Sequence, residues 1–134
     1  TANCHVKLSH NSIGSPLVTN PSILIAMNRP SLEKFEADVI EGGAVLYDSS
    51  LIDIKPTRKD VRSIPIPATD IANELGNTRI SNVVILGVLA GFSDFLDPAV
   101  VQRVLPLIFK KSHLLEINLK AFQRGLELGR ELSA

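Results

Sequence analysis

The side chains able to attack or ligate are few: Ser49 and Ser50, Cys4, and the histidines His5, His10 and His113. Acyl transfer by serine needs a histidine and an acid within reach, usually with the serine on a Gly-x-Ser-x-Gly elbow. Ser49-Ser50 lacks those glycines and only His113 follows it, so no hydrolase triad is expected. The histidines show no metal-ligand spacing. Cys4 and His5 are neighbours on a segment that reads as a strand, so they point to opposite faces and cannot share one ion. Cys4 is expected as a small core residue rather than a nucleophile, because free cysteine is most often buried. Neither a Gly-x-Gly-x-x-Gly run nor a Walker lysine is present. Binding chemistry is what remains. Asn28, Arg29, Ser31, Ser49 and Ser50 are rich in donors and lie near a helix N-terminus, which suits an anionic or phosphate-bearing ligand. Each also has a plainer role: Asn28 and Ser31 as helix caps, Ser49-Ser50 as a turn.

Two strand-to-helix units must position these residues. Ile23 to Met27 is a continuous apolar run, the pattern of a parallel strand buried on both faces. It turns at Asn28-Arg29-Pro30 into a helix whose Leu32, Phe35 and Val39 share a face. Gly42-Gly43 ends that helix. Ala44 to Asp48 is a second apolar strand, closed by Ser49-Ser50. If the two strands are parallel neighbours, both turns lie on one edge of the sheet, where ligands of open α/β sheets sit.

Around them, Cys4 to Ser9 alternates like a half-buried strand, and Lys55 to Arg62 reads as an exposed charged loop. Val61 to Ile66 is a strand that Pro65 and Pro67 confine to an edge. Thr69 is expected to cap a short helix over 70–75, stopped by Gly76-Asn77. Ile80 to Phe92 is apolar all round, a buried helix with Gly87 and Gly91 on one face. Asp97-Pro98 starts a helix with Val101, Val104, Leu105 and Ile108 as its core stripe, shortened or kinked by Pro106. The last helix, His113 to Leu132, buries Leu115, Leu119, Phe122 and Leu126. Its second stripe, Ala121, Gly125 and Gly129, signals either close packing, a second subunit included, or tolerated surface glycines. The order fits a layered, Rossmann-like α/β domain with a mostly parallel sheet and a helical C-terminal third.

Size and charge narrow the function classes. The chain has 134 residues, 45% apolar and 21% charged, enough for one domain with a core. Fourteen basic residues balance fourteen acidic ones without runs, which argues against nucleic acid or a membrane surface as partner. One cysteine excludes a disulfide framework within this stretch. No signal peptide is visible and the longest apolar tract, Val83 to Phe92, is too short to span a bilayer, so a cytoplasmic location is expected. The opening at Thr1-Ala2-Asn3, with Met27 the only methionine, gives the expectation that the chain starts inside a fold.

Thr1-Ala2-Asn3-Cys4, Ile13-Gly14-Ser15-Pro16, Ala26-Met27-Asn28-x-Pro30-Ser31-Leu32-x-Lys34-Phe35, Gly42-Gly43 and Ser49-Ser50-Leu51-Ile52 occur in that order. Pro67-Ala68-Thr69 to Asn77 and Asn82 to Gly87 continue the series. Together they resemble the gamma subunit, or gamma domain, of the 2-oxoacid:ferredoxin oxidoreductases, over nearly the whole chain. The forms Thr-Ala-Asn-Cys and Ala-Met-Asn-x-Pro-Ser-Leu are more similar to the 2-oxoglutarate branch than to the pyruvate branch. The family's domain opens with a glycine-rich strand-helix unit and an Arg-Gly-Gly segment, so the expectation is a single gamma-type domain over 1–134, incomplete at its N-terminus.

The resemblance implies a non-catalytic subunit of a complex that converts a 2-oxoacid and coenzyme A to acyl-coenzyme A, carbon dioxide and reduced ferredoxin. It implies that thiamine diphosphate and iron–sulfur clusters are held by partner subunits, and none by this chain alone. Alpha, beta and in some complexes a ferredoxin-like delta subunit would be its partners, ferredoxin the electron acceptor; a homodimer is left open. Asn28, Ser31, Ser49 and Ser50 become a candidate coenzyme A crevice. The alternative is a free-standing regulatory module that binds a small molecule in the same crevice.

Overall fold

A computed structural model describes residues 2–133; Thr1, first residue of the Thr-Ala-Asn-Cys motif, lies outside the described residues. Three parallel strands form the sheet in the order β1 (Ile23–Ala26), β2 (Ala44–Asp48), β3 (Arg62–Ile66). Helix α1 (Arg29–Phe35) follows β1, and α2 (Ala68–Glu74) follows β3. The chain then continues through α3 (Ser81–Phe92), α4 (Pro98–Ile108) and α5 (Ser112–Ser133). The layered α/β architecture with a helical C-terminal third is the one the sequence predicts.

The centre of the sheet is β2, buried at all five residues. Its Ala44 and Leu46 pack with Ile64 and Ile66 of β3 into a core shared with α2, α3, α4 and α5. Its Val45 and Tyr47 pack on the other face with Ala26, Leu32, Val39, Ile52 and Val61. Helices therefore cover both faces, the condition for a parallel strand without alternation. Burial raises the Tyr47 hydroxyl above its ordinary value by disfavouring the phenolate.

Strand β1 corrects the expectation of a strand buried on both faces. It lies at the sheet edge, only Ala26 is fully buried, and Ile25 is exposed. An apolar run marks a strand, but its place in the sheet is decided by the pairing partners it finds. The edge position of β3 agrees with its two prolines: Pro65 stands opposite Tyr47 and needs no donor on the outer side.

Cys4 to Ser9 is not a strand. Residues 2–22 form neither helix nor strand, and Val6 and Leu8 are exposed. Alternation alone cannot make a strand whose backbone groups have no ladder to join. Cys4 is accordingly exposed rather than in the core. Besides two local turns, in which the Asn11 and Leu17 amides donate to Ser9 and Ser15 Oγ, the Val18 amide ties the arm to itself by donating to His5 Nδ1 at 3.1 Å.

Helix α1 closes at Phe35 into a 3-10 turn over Glu36–Asp38, with Val39 buried just beyond it. Helix α4 starts as expected, Asp97 Oδ1 accepting from the Ala99 amide at 2.9 Å, and ends two residues after Pro106. Its core stripe is narrower than the periodicity suggests: Val101 and Leu105 are buried, while Val104 and Ile108 are exposed. Helix α4 rests on α3 and α5, and the Val104 and Ile108 side of the stripe stays outside that contact. Leu115 and Leu119 of α5 are half-buried, whereas Phe122 and Leu126 are enclosed.

The small-residue stripe of α5 packs against α3 of the same chain, not against a second subunit. A Cβ built at Gly125 would fall on the Val84 carbonyl and within 2.9 Å of the Val88 amide, and one at Gly87 within 2.9 Å of the Leu126 amide. Gly91 and Gly129 repeat the arrangement one turn along. The two helices touch backbone to backbone.

Candidate functional site

The site begins where β1 and β2 end. Parallel pairing places Ala26 opposite Tyr47, and Asn28 and Ser49 each lie two residues further on, at the same edge of the sheet. The structure thus brings both expected turns together. Asn28, Ser31, Ser49 and Ser50 are all half-buried, so each offers atoms to an incoming molecule.

Each side chain has structural work as well. Asn28 is extended and its Oδ1 accepts from the Ser31 amide at 2.9 Å, the N-cap of α1. Ser50 Oγ accepts from the Asp70 amide at 3.0 Å, and the Ser49 amide donates to the Ile66 carbonyl at 2.8 Å. What these bonds leave over is informative. Among the described residues, Asn28 Nδ2, Ser31 Oγ and Ser49 Oγ make no hydrogen bond. Three polar groups at one sheet edge are open to a ligand.

Arg29 departs from its expected place in the crevice. Its guanidinium donates to Glu33 Oε1 at 2.8 Å and stands 3.5 Å from Asp53, and the Glu33 contact above all raises its pKa further. It is exposed and already paired, so it is poorly placed as an anion anchor. The cation that shares a hollow with Ser31 is Lys34, which the sequence placed only on the helix. Lys34 lines a shallow hollow of about 220 Å³ with Ala2, Asn3, Pro30, Ser31 and Phe35, its ammonium 5.2 Å from the Phe35 ring centroid. Asn28, Ser49 and Ser50 lie outside that lining.

Beneath the turns sits Asp48, which sequence reasoning left as a strand terminus. Its carboxylate is fully buried and accepts from the Ser50 amide at 3.1 Å, the Thr69 amide at 3.3 Å and the Thr69 hydroxyl at 2.6 Å. Thr69 is therefore not the cap of α2, as the sequence suggested. That helix starts at Ala68, and the group satisfying its first turn is a carboxylate delivered from β2. An aspartate closing an apolar strand, followed by two serines, was the signal available in the sequence. Only the fold could supply its partner twenty-one residues on.

Among the described residues, no three of His, Cys, Asp and Glu could hold a metal ion together. No helix among them is long and apolar enough to cross a membrane.

Residues 1–128 match the family described as pyruvate ferredoxin/flavodoxin oxidoreductase. The chain is 37% identical over 133 residues to ketoisovalerate oxidoreductase subunit VorA of Methanothermobacter marburgensis, covering 98% of this chain and 28% of that one. It is 32% identical over 130 residues to 2-oxoglutarate synthase subunit KorC of Methanocaldococcus jannaschii, covering 95% of this chain and 68% of the other. Its fold is similar to that of a 2-oxoglutarate:ferredoxin oxidoreductase from Magnetococcus marinus solved with 2-oxoglutarate, coenzyme A and succinyl-CoA bound. That likeness has a TM-score of 0.73 at 28% identity over 82% of this chain and 20% of that one. The chain thus spans under a third of the ketoisovalerate relative and about two thirds of the KorC subunit.

Proposed function

This chain belongs to the pyruvate ferredoxin/flavodoxin oxidoreductase family, and from that we propose that it is one gamma-type domain of a multi-subunit 2-oxoacid:ferredoxin oxidoreductase. The complex oxidatively decarboxylates a 2-oxoacid and passes the acyl group to coenzyme A, with ferredoxin taking the electrons. In this reading the chain works in the cytoplasm and is not itself the catalyst. The carrying observation is the family match over residues 1–128. The identities with the ketoisovalerate and 2-oxoglutarate subunits support a 2-oxoacid as substrate. The preference for 2-oxoglutarate rests on the N-terminal motifs, and the ketoisovalerate relative is the more identical of the two.

The family's iron–sulfur clusters do not fit the residues of this stretch, and thiamine diphosphate is assigned with them to partner subunits. A cluster takes about four cysteine thiolates, and Cys4 is the one cysteine here, exposed on the arm. Alpha and beta subunits, with a delta subunit in some complexes, would carry those groups. What this chain offers is the sheet edge, where Asn28 Nδ2, Ser31 Oγ and Ser49 Oγ are open to coenzyme A and Ser50 supports the turn. Binding of coenzyme A by the Magnetococcus enzyme supports assigning this ligand class.

Co-purification tests the assembly. Isolation of the full-length protein with thiamine-binding and iron–sulfur subunits is expected, and a stable lone homodimer would favour the regulatory-module alternative instead. For the crevice, Asn28→Ala and Ser49→Ala should each weaken coenzyme A binding by the complex about threefold to tenfold, the worth of one hydrogen bond. Unchanged affinity in both would leave these residues only their capping and turn roles.

A further inference from the structure

The fully buried carboxylate of Asp48 has no cation within ion-pairing distance among the described residues. A buried carboxylate satisfied only by neutral donors is costly, and an apolar strand end would be cheaper. Its position explains what it does. Oδ1 gathers the Ser50 and Thr69 amides, Oδ2 takes the Thr69 hydroxyl, and the Asp48 carbonyl accepts from the Ile52 amide at 2.9 Å. The end of β2, the Ser49-Ser50 turn and the start of α2 are thus bound to one residue. The Ser50 hydroxyl closes the loop by accepting from the Asp70 amide.

We propose that Asp48 is a positioning residue: it fixes the Ser49-Ser50 turn so that the Ser49 hydroxyl, which has no partner among the described residues, stands ready for a ligand at the sheet edge. The inference rests on the coenzyme A reading of this edge. Binding to a fixed turn avoids the ordering cost that a mobile one would charge on each encounter. Thr69 is the second half of the device, because its hydroxyl supplies the shortest of the bonds to the carboxylate.

The test uses the assembled complex and leaves Asp48 in place, since its removal threatens folding. Thr69→Val deletes the hydroxyl donor and keeps the shape, while Thr69→Ser restores the donor. In Thr69→Val, amide exchange in a peptide covering 49–52 should quicken about tenfold. The KM for coenzyme A should rise about threefold to tenfold with kcat held. Thr69→Ser should bring both back. Unchanged exchange in Thr69→Val overturns the positioning role. Quickened exchange with an unchanged KM, in a complex where Ser49→Ala does raise KM, also overturns it, because the site then works without a fixed turn. Quickened exchange with KM unmoved by either variant overturns the coenzyme A reading itself and leaves Asp48 a structural residue.

Discussion

The α3–α5 pair and the C-terminal edge of the sheet solve opposite problems. The two helices meet through glycines, with backbone on backbone. At the sheet edge, Asn28, Ser31 and Ser49 keep polar groups unspent among the described residues, while Asp48 takes three donors beneath them. A region closed upon itself carries stability, and its exact spacing leaves no room for a ligand. A region that fixes its backbone and leaves side-chain atoms unused is suited to recognition. The glycine stripe, which the sequence left between close packing and tolerated surface glycines, is interior packing. Asn28, expected both as a cap and as a crevice residue, does cap α1 and borders the open edge.

The largest expected effect comes from breaking the closed half. Gly125→Ala places a Cβ against the Val84 carbonyl and 3.0 Å from Gly87 Cα, so both helices must part. A loss of about 3 kcal/mol or more is expected, read as a lowered Tm. Gly14→Ala, where a Cβ meets nothing within 4 Å, should stay within about 0.5 kcal/mol of the parent. If the two variants melt alike, the helix pair is not packed backbone to backbone.

Next comes the buried anchor of the open half. Asp48→Ala strands the Ser50 amide, the Thr69 amide and the Thr69 hydroxyl. An unsatisfied buried donor costs about 1–3 kcal/mol, and water entering at the edge recovers part of it, so a loss of about 2 kcal/mol by urea unfolding is expected. A neutral outcome would mean that the edge holds its shape without the carboxylate.

A smaller effect separates the two polar residues of the first turn. Asn28→Ala removes the cap of α1 and should cost about 1 kcal/mol, recovered by Asn28→Asp. Ser31→Ala should cost less than about 0.5 kcal/mol, because Ser31 receives the cap through its backbone amide and its hydroxyl is unused. Equal losses would show that Ser31 Oγ is structural and remove it from the candidate site.

The sequence made the three sheet strands, the start of α4 and the glycine faces readable because each depends on local pattern, whereas the alternation over Cys4 to Ser9 and the cap assigned to Thr69 misled. The buried face of α3 follows from its unbroken apolar run, and the edge position of β3 from Pro65. What it could not show depends on distant partners. Ile23 to Met27 and Ala44 to Asp48 look alike as runs, yet only the second has strands on both sides. Val104 and Ile108 fall on the right helical spacing, but the neighbouring helices leave them exposed. Asp48 read only as a strand terminus because Thr69, its main partner, is far along the chain. Of the candidate site, the two turns and their shared edge were legible; Lys34 and Asn3 beside Ser31 were not, since the arm that closes their hollow has no periodic signature.

The smallest effect concerns how much of the open half is held still. Arg58 fastens the loop before β3 to the end of the 3-10 turn, donating to the carbonyls of Glu36, at 3.2 Å, and Val39 and to Asp60. Glu36 returns the contact by accepting from the Arg58 amide at 3.0 Å. The hydrogen bonds from Arg58 above all hold the Asp60 carboxyl below its ordinary value of 3.8. A carboxyl depressed in this way favours the folded state above its unfolded pKa, and that contribution fades as pH falls through the lower folded pKa. The loop should therefore loosen only in acid below pH 3.8, visible as faster exchange over 55–60 with the helix pair unaffected. An NMR titration should place Asp60 below the ordinary value and return it there in Arg58→Ala. An Asp60 that titrates the same with and without Arg58 would mean that the loop is not clamped. The fixed part of the open half would then be confined to the Asp48 hub and the cap of α1.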